Sequence, residues 1–351
     1  MFSSIIKGGF CSSKNFIFAI SSIAICVLIY FSAQLFVPLP ADKRGAEIEI
    51  PHGTSSGRVF ELLNQKGLLR DKNIMLFIVE ILGADREFKA GHYSFRDSRT
   101  PIGVLLDILR GRVIENRITI TEGETIWNVA EKLQKAGIMS EEDFFRLNAD
   151  PGFRSSLDID APSLEGYLFP DTYKFPKDYE PEKVIRVMVD NMRSHFTPDI
   201  LLEMKKSGMT ERDVLTLASI IEKEAVVDFE RPIISAVYRN RLKKRMRLDA
   251  DPTSIYGIKD FKDGITRKDL RRDTPYNTYR RRGLPPGPIA APGIKSIIAA
   301  VYPADVPYLY FVSKNNREHH FSKSSREHFK AVQYYRLKRH GVKKSGKNDR
   351  T

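Results

Sequence analysis

The chain has 351 residues, a formal net charge of +13, 42% hydrophobic and 29% charged residues, a balance that allows two or three water-soluble domains with a real core. Both of its cysteines, Cys11 and Cys26, precede residue 40, which excludes a disulfide staple or a cysteine metal cluster in everything that follows. The positive excess favours a polyanionic neighbour, whether an anionic membrane surface, an anionic cell-wall polymer or nucleic acid.

The first element is Phe16 to Val37, which carries no charge. About 22 residues at a rise of 1.5 Å span roughly 33 Å, enough for a bilayer core. The apolar region of a cleaved signal peptide would be shorter, about 7–15 residues. The stretch 16–37 is therefore read as an uncleaved transmembrane helix. Lys7 and Lys14 precede it with no acid between them, so 1–15 is expected in the cytoplasm and the rest outside.

A repeat follows. Ile48-Glu-Ile-Pro-His-Gly53 aligns with Ile118-Thr-Ile-Thr-Glu-Gly123, 70 residues on. Val59 then matches Val129, Leu63 matches Leu133, Gly67 matches Gly137 and Ile74 matches Phe144. Each copy reads as a short strand, a turn, an amphipathic helix stopped at glycine, and a second helix near Asp71 or Ser140. The second copy is similar to a LysM-like module, a small βα unit that often binds N-acetylglucosamine polymers. Trp127, the sole tryptophan, is expected in its core rather than as a sugar platform. Phe88 to Phe95 reads as a strand and Thr100-Pro101 as a helix start.

Ser163 to Phe175 interleaves Tyr167, Phe169, Tyr173 and Phe175 with Glu165 and Asp171. The alternation fits a strand with one buried face, and equally a sugar-binding wall. Glu182 to His195 and Pro198 to Ser207 read as helices. Thr210-Glu-Arg-Asp213 caps the next one. Pro232 to Arg241 continues helical. Gly283 to Gly293 is too rich in Gly and Pro for a helix or strand and reads as an ordered loop. Ile294 to Tyr302 closes the helices, and Tyr308–Val312 with His319–Phe321 read as strands, both histidines being strand residues.

The chemistry centres on Thr216 to Ala225. At about 100° per residue, Val214, Leu217, Ala218, Ile221 and Ala225 form one apolar stripe. Glu222 and Glu224 fall on its opposite shoulders, each about 80° from the centre. A half-desolvated carboxyl has a raised pKa and can serve as a general acid. The projection does not choose between the two. No GxGxxG, Walker A, GxSxG or HExxH occurs, which removes the usual support for dinucleotide, P-loop, hydrolase and zincin chemistry. Nucleic-acid binding lacks a motif and conflicts with the outward topology.

Six motifs in order carry a resemblance: LEGYLFPDTYKF (164–175), TLASIIEKEA (216–225), RLDADPTSIYG (247–257), PYNTY (275–279), GLPPGPIAAPG (283–293) and PYLYFV (307–312). The chain resembles the YceG-like (MltG) endolytic lytic transglycosylases of bacterial peptidoglycan. The resemblance implies an α+β fold: a single transmembrane helix, a first βα unit over 47–115, a LysM-like unit over 116–160 and a mixed α+β catalytic domain over 161–335, with a basic disordered tail at 336–351. It implies a single-pass inner (plasma) membrane protein whose catalytic domain faces the periplasm or cell wall. The family's acid, the first glutamate of EKE, falls on Glu222. Acting as acid and then base, it would cleave between N-acetylmuramic acid and N-acetylglucosamine and leave a 1,6-anhydro end, ending strand elongation. One carboxylate would suffice, because the sugar's own hydroxyl is the nucleophile. Glu165, Tyr167 and Asp171 are expected along the groove. Asp251, Thr253, Tyr276, Asn277 and Tyr279 are expected to orient sugar or support the acid. No metal or cofactor is implied. Partners would be glycan strands, the lipid bilayer and wall synthases such as penicillin-binding proteins. The rival reading is a membrane-tethered peptidoglycan-binding scaffold without catalysis.

Overall fold

The structure, a computed structural model, describes residues 13–43, 45–51, 53–83, 88–258 and 264–345. Its contacts divide into two compact units, Met1–Glu115 and Asn116–Thr351.

The first unit opens with helix α1 (Ser13–Phe36), of which Phe16–Phe36 is long and apolar enough to cross a membrane. The stretch 1–12, expected in the cytoplasm, lies outside the described residues. Strand β1 (Glu47–Ile50), helices α2 (Ser56–Gln65) and α3 (Lys72–Ile81), strand β2 (Gly91–Ser94) and helix α4 (Pro101–Arg110) follow. β1 and β2 pair antiparallel, Glu47 opposite Ser94 and Ile50 opposite Gly91. Alternation puts Ile48 and Ile50 inside and both glutamates outside. Asp71 caps α3 by accepting the Asn73 and Ile74 N–H groups. Thr100 caps α4, Pro101 occupies its first turn, and Gly111 ends it in the left-handed region at φ 68°. Val59, Phe60, Leu63, Tyr93, Phe95 and Ile108 form this unit's own core.

The second unit holds β3 (Glu115–Thr119), α5 (Ile126–Lys135), α6 (Glu141–Ala149), α7 (Pro151–Ser156) and β4 (Thr172–Pro176). β3 pairs with β4. α2 and α5 are each 10 residues long and begin 70 residues apart, the spacing read from the sequence repeat. Val129, Leu133 and Phe144 share one continuous core with Leu164, Leu217 and Ile221. Packing therefore does not divide at 160, because the apolar face of α5 is covered by the chain beyond it.

Ser163 to Phe175 is a strand only from Thr172. Gly166 stands at φ 81° and Pro170 cannot donate to a ladder. Leu164 to Phe169 are buried in turns instead. A Cβ on Gly166 would stand 2.4 Å from Pro288 Cβ. Gly166→Ala is therefore expected to destabilise the fold by about 3 kcal/mol, read as a lowered midpoint in urea unfolding. An unchanged midpoint would show that the 283–293 loop yields freely.

Helices α8 (Pro181–Ser194), α9 (Pro198–Ser207), α10 (Glu211–Glu224), α11 (Arg231–Lys243) and α12 (Ile294–Val301) build the centre of this unit. α10 starts in a reciprocal capping box, Asp213 N–H donating to Thr210 Oγ1 at 3.1 Å and Thr210 N–H to Asp213 Oδ2 at 3.0 Å. Every residue from Val214 to Ile221 is buried. The helix is core on all sides, wrapped by α11 and α12, rather than a surface helix with one stripe. A hairpin of β5 (Tyr310–Ser313) and β6 (His319–Ser322) follows, Tyr310 opposite Ser322. Helix α13 (Ser325–Ser345) packs on it. The disorder expected from 336 is thus replaced by helix through Ser345, while 346–351 lie outside the described residues.

Trp127 departs from its expected core position. It is 43% exposed, its ring centroid 5.4 Å from that of Tyr256.

Candidate active site

Both glutamates of the EKE sequence lie in the last turn of α10, and they face different surroundings. The Glu222 side chain is only 6% exposed. Its Oε1 accepts from Arg231 Nη1 at 3.1 Å and its Oε2 from the Gly293 backbone N–H at 3.0 Å. Arg231 also donates to Ser296 Oγ and, through Nε, to Asp228 Oδ1 at 3.2 Å. Gly293 is the N-cap of α12 and Arg231 opens α11. Glu222 thus ties three helix ends together. Both of its oxygens are engaged, one by a charge-assisted hydrogen bond from a guanidinium.

Glu224 is half-buried and lies on the wall of a cavity of about 650 Å³. Its carboxyl is pushed up to about 8, first by burial and then by the negative charge of Asp251; the Asp251 backbone N–H and the Tyr238 hydroxyl act in the opposite direction. At neutral pH it keeps its proton. A protonated carboxyl opening on a cavity is what general-acid chemistry requires.

Asp249, Asp251, Arg241, Tyr279, Tyr310 and His319 line the same cavity. Tyr279 donates to Asp251 Oδ1 at 2.5 Å. Arg241 Nη1 reaches Asp249 Oδ2 at 3.1 Å and the Leu248 carbonyl at 2.9 Å, and its Nε donates to the Leu309 carbonyl at 2.6 Å. This one arginine ties α11 to the 247–249 stretch and to the residue before β5. Asp249 holds φ 45°, and burial pushes its carboxyl up. Two aspartates, Asp249 and Asp251, share the cavity with Glu224. Both of them are already hydrogen-bonded.

Of the other residues expected to meet substrate, Asp251 and Tyr279 line the cavity, and the rest sit elsewhere. Glu165 is 1% exposed. It accepts from the Ile126 N–H at 3.1 Å and the Tyr256 hydroxyl at 3.0 Å, and burial pushes it up to about 8. It braces the start of α5. Tyr167 is a core residue. Asp171 is exposed beside β4 and accepts from Asn191 Nδ2 at 3.0 Å. Thr253 is fully buried and shares a 2.9 Å hydrogen bond with Thr278 Oγ1. Asn277, also fully buried, donates to the carbonyls of Leu270 and Arg272 at 3.2 and 2.7 Å and so shapes the loop that carries Tyr279. Tyr276 packs against Tyr256, the ring centroids 4.6 Å apart and the planes tilted by 50°. The loop 283–293 is anchored by Ile289 N–H donating to Ser219 Oγ at 3.0 Å, which explains a buried serine in α10. Ala291 N–H donates to the Glu124 carbonyl at 2.7 Å and Gly123 N–H to the Ala291 carbonyl at 2.8 Å.

Arg241, Asp249 and His319 were not singled out in the sequence. Asp249 carried a signal, two residues before Asp251 in one motif. His319 carried none, its partner being 89 residues away.

The YceG-like family model matches residues 48–334 of this chain. A Bacillus subtilis (strain 168) protein named endolytic murein transglycosylase is 33% identical over 322 residues, covering 87% of this chain and 89% of that protein. A Streptococcus pneumoniae protein (serotype 2, strain D39) of the same name is 27% identical over 336 residues, covering 83% of this chain and 61% of its own length. A 2.6 Å crystal structure of a YceG-like protein from Listeria monocytogenes superposes with a TM-score of 0.57 at 34% identity, covering 82% of this chain and 99% of that one. By the extent of the family match and the identity to its relatives, this chain belongs to the YceG-like family.

Proposed function

We propose that the protein is a membrane-anchored endolytic transglycosylase that cleaves peptidoglycan between N-acetylmuramic acid and N-acetylglucosamine, with Glu224 as its acid and base. The observation that carries this reading is the placement of the Glu224 carboxyl on the cavity wall, where burial and the charge of Asp251 raise its pKa. The name of the B. subtilis relative supports the substrate. Glu222, nominated by the family motif, has both oxygens held by Arg231 and Gly293 and is assigned the bracing role.

In the proposed step Glu224 gives its proton to the glycosidic oxygen as the C1–O bond breaks. The C6 hydroxyl of the same muramic acid attacks C1, and its proton returns to Glu224. The protein ends unchanged and the product carries a 1,6-anhydro ring. Holding nucleophile and acceptor within one sugar gives a large effective molarity. Tyr279 and Asp251 hold the charge environment of the acid. The apolar Phe16–Phe36 segment serves as the anchor, with the second unit on the cell-wall side. The strand–helix–helix start shared by both repeats, β1-α2-α3 and β3-α5-α6, supports a LysM-like role in glycan contact. Wall synthases are the proposed partners, and strand termination the proposed outcome.

A second reading, hydrolysis, is favoured by Asp249 and Asp251, which could activate water beside Glu224. Mass analysis of glycan strands digested by the purified full chain separates the two. Anhydro-muramyl ends are expected, and reducing-end muramic acid would establish hydrolysis. A folded protein that binds strands without cutting them would instead be the tethered scaffold.

A further inference from the structure

Glu230 and His319 form a pair that the proposed step does not use. Glu230 ends a short 3-10 turn (Asp228–Glu230) and is 1% exposed. Its Oε2 lies 2.7 Å from His319 Nδ1, and its Oε1 accepts the His319 backbone N–H at 2.7 Å. The carboxylate therefore grips one residue at two points. Phe311 meets the imidazole edge to face, at 5.2 Å and 81°. Ring position and rotation are both fixed.

Packing alone does not account for this arrangement. A buried carboxylate is costly, and an apolar side chain would fill the space at less cost. What the carboxylate adds is control of the tautomer. It can only accept, so it holds a proton on Nδ1, and the tautomer it selects presents Nε2 as an acceptor. His319 lines the same cavity as Glu224, and its Nε2 has no hydrogen-bond partner among the described residues.

We propose that His319 Nε2 accepts a hydrogen bond from the attacking sugar hydroxyl and aims its lone pair at C1, with Glu230 as the positioning residue that holds the tautomer. This inference rests on the glycan-cleaving reading. As the C6 oxygen bonds to C1, the hydroxyl's single proton moves onto Nε2, and the imidazolium then yields it to the Glu224 carboxylate left by protonation of the leaving oxygen, so proton balance is unchanged.

The test uses the full chain in detergent with 15N-labelled histidine. At pH 7 the His319 ring is expected to be protonated at Nδ1 and bare at Nε2. Glycan strands added to a Glu224→Gln background should move the Nε2 resonance. A protonated Nε2, or an unmoved resonance with strands bound, overturns the proposal. In turnover, Glu230→Gln donates to Nδ1 and drives the proton to Nε2. A kcat loss of about 100-fold with KM within about threefold is expected, and His319→Gln, which keeps an acceptor, should lose less than His319→Phe. A loss confined to KM, or one that only tracks a fallen unfolding temperature, assigns the pair to structure and overturns the proposal. If the parent protein makes no anhydro ends while strands still move Nε2, the cleavage reading fails and the sugar contact stands.

Discussion

Glu224→Gln is expected to cut glycan turnover by about 1000-fold, the range lost when a general acid is removed, while leaving the unfolding midpoint nearly unchanged. Glu222→Gln is expected to do the reverse. Glutamine can still accept the Gly293 N–H, but Arg231, with a side chain only 9% exposed, keeps only the exposed Asp228 as a counter-charge. Breaking a buried pair from one side costs about 3 kcal/mol, so the midpoint falls, and the activity that remains below it belongs to chemistry that still works. Anhydro-end release and urea unfolding, measured on the same preparations, decide the matter. Full turnover in Glu224→Gln together with a dead but stable Glu222→Gln would return the acid to Glu222.

Activity is expected to hold through neutral pH and to fall about tenfold per unit above pH 8, as Glu224 loses its proton. The sign follows from its carboxyl, which moves from an ordinary 4.5 to about 8 on folding. Only the protonated form can donate to the leaving oxygen. Asp251→Asn removes the negative charge that contributes to the shift, and its pH profile should lose activity at lower pH than the parent. The same shift links to stability. An acid raised in the folded state favours folding fully below about 4.5, and that contribution is lost as pH rises through about 8. Glu165, also raised to about 8, acts in the same direction. The alkaline loss of activity must therefore be reversible and must precede unfolding in thermal melts taken at each pH. A profile flat to pH 10 would remove Glu224 as the acid.

What the sequence disclosed was mostly local. The 70-residue repeat, the capping boxes and the closing hairpin are set by neighbours a few positions apart, and their signals sit in short windows. The choice between Glu222 and Glu224 was not local. A helical wheel assumes one wet side, and α10 has none between Val214 and Ile221. What separates the two carboxylates is the Gly293 N–H, 71 residues on, and Arg231, 9 residues on. No period in the α10 segment encodes either contact. The surroundings of the expected groove residues were hidden for a related reason. Glu165, Thr253 and Asn277 sit in motifs rich in functional residue types, yet each spends its polar atoms on backbone or on a buried partner, work that looks like ligand binding when only composition is visible. Trp127 goes the opposite way: a sole tryptophan on an amphipathic helix is expected in the core, and the chain leaves its ring half open beside Tyr256.

The tie that Glu222 makes among α10, α11 and α12 has a dynamic meaning. Helix ends ordinarily fray, because their last carbonyls lack partners and open within the time of local fluctuations. The last turn of α10 is instead clamped by an ion pair and a backbone donor two residues before the proposed acid. Glu224 rides on a helix terminus that has lost the mobility of one. The acid therefore meets each substrate from the same place, with little reorganisation left to perform when charge moves.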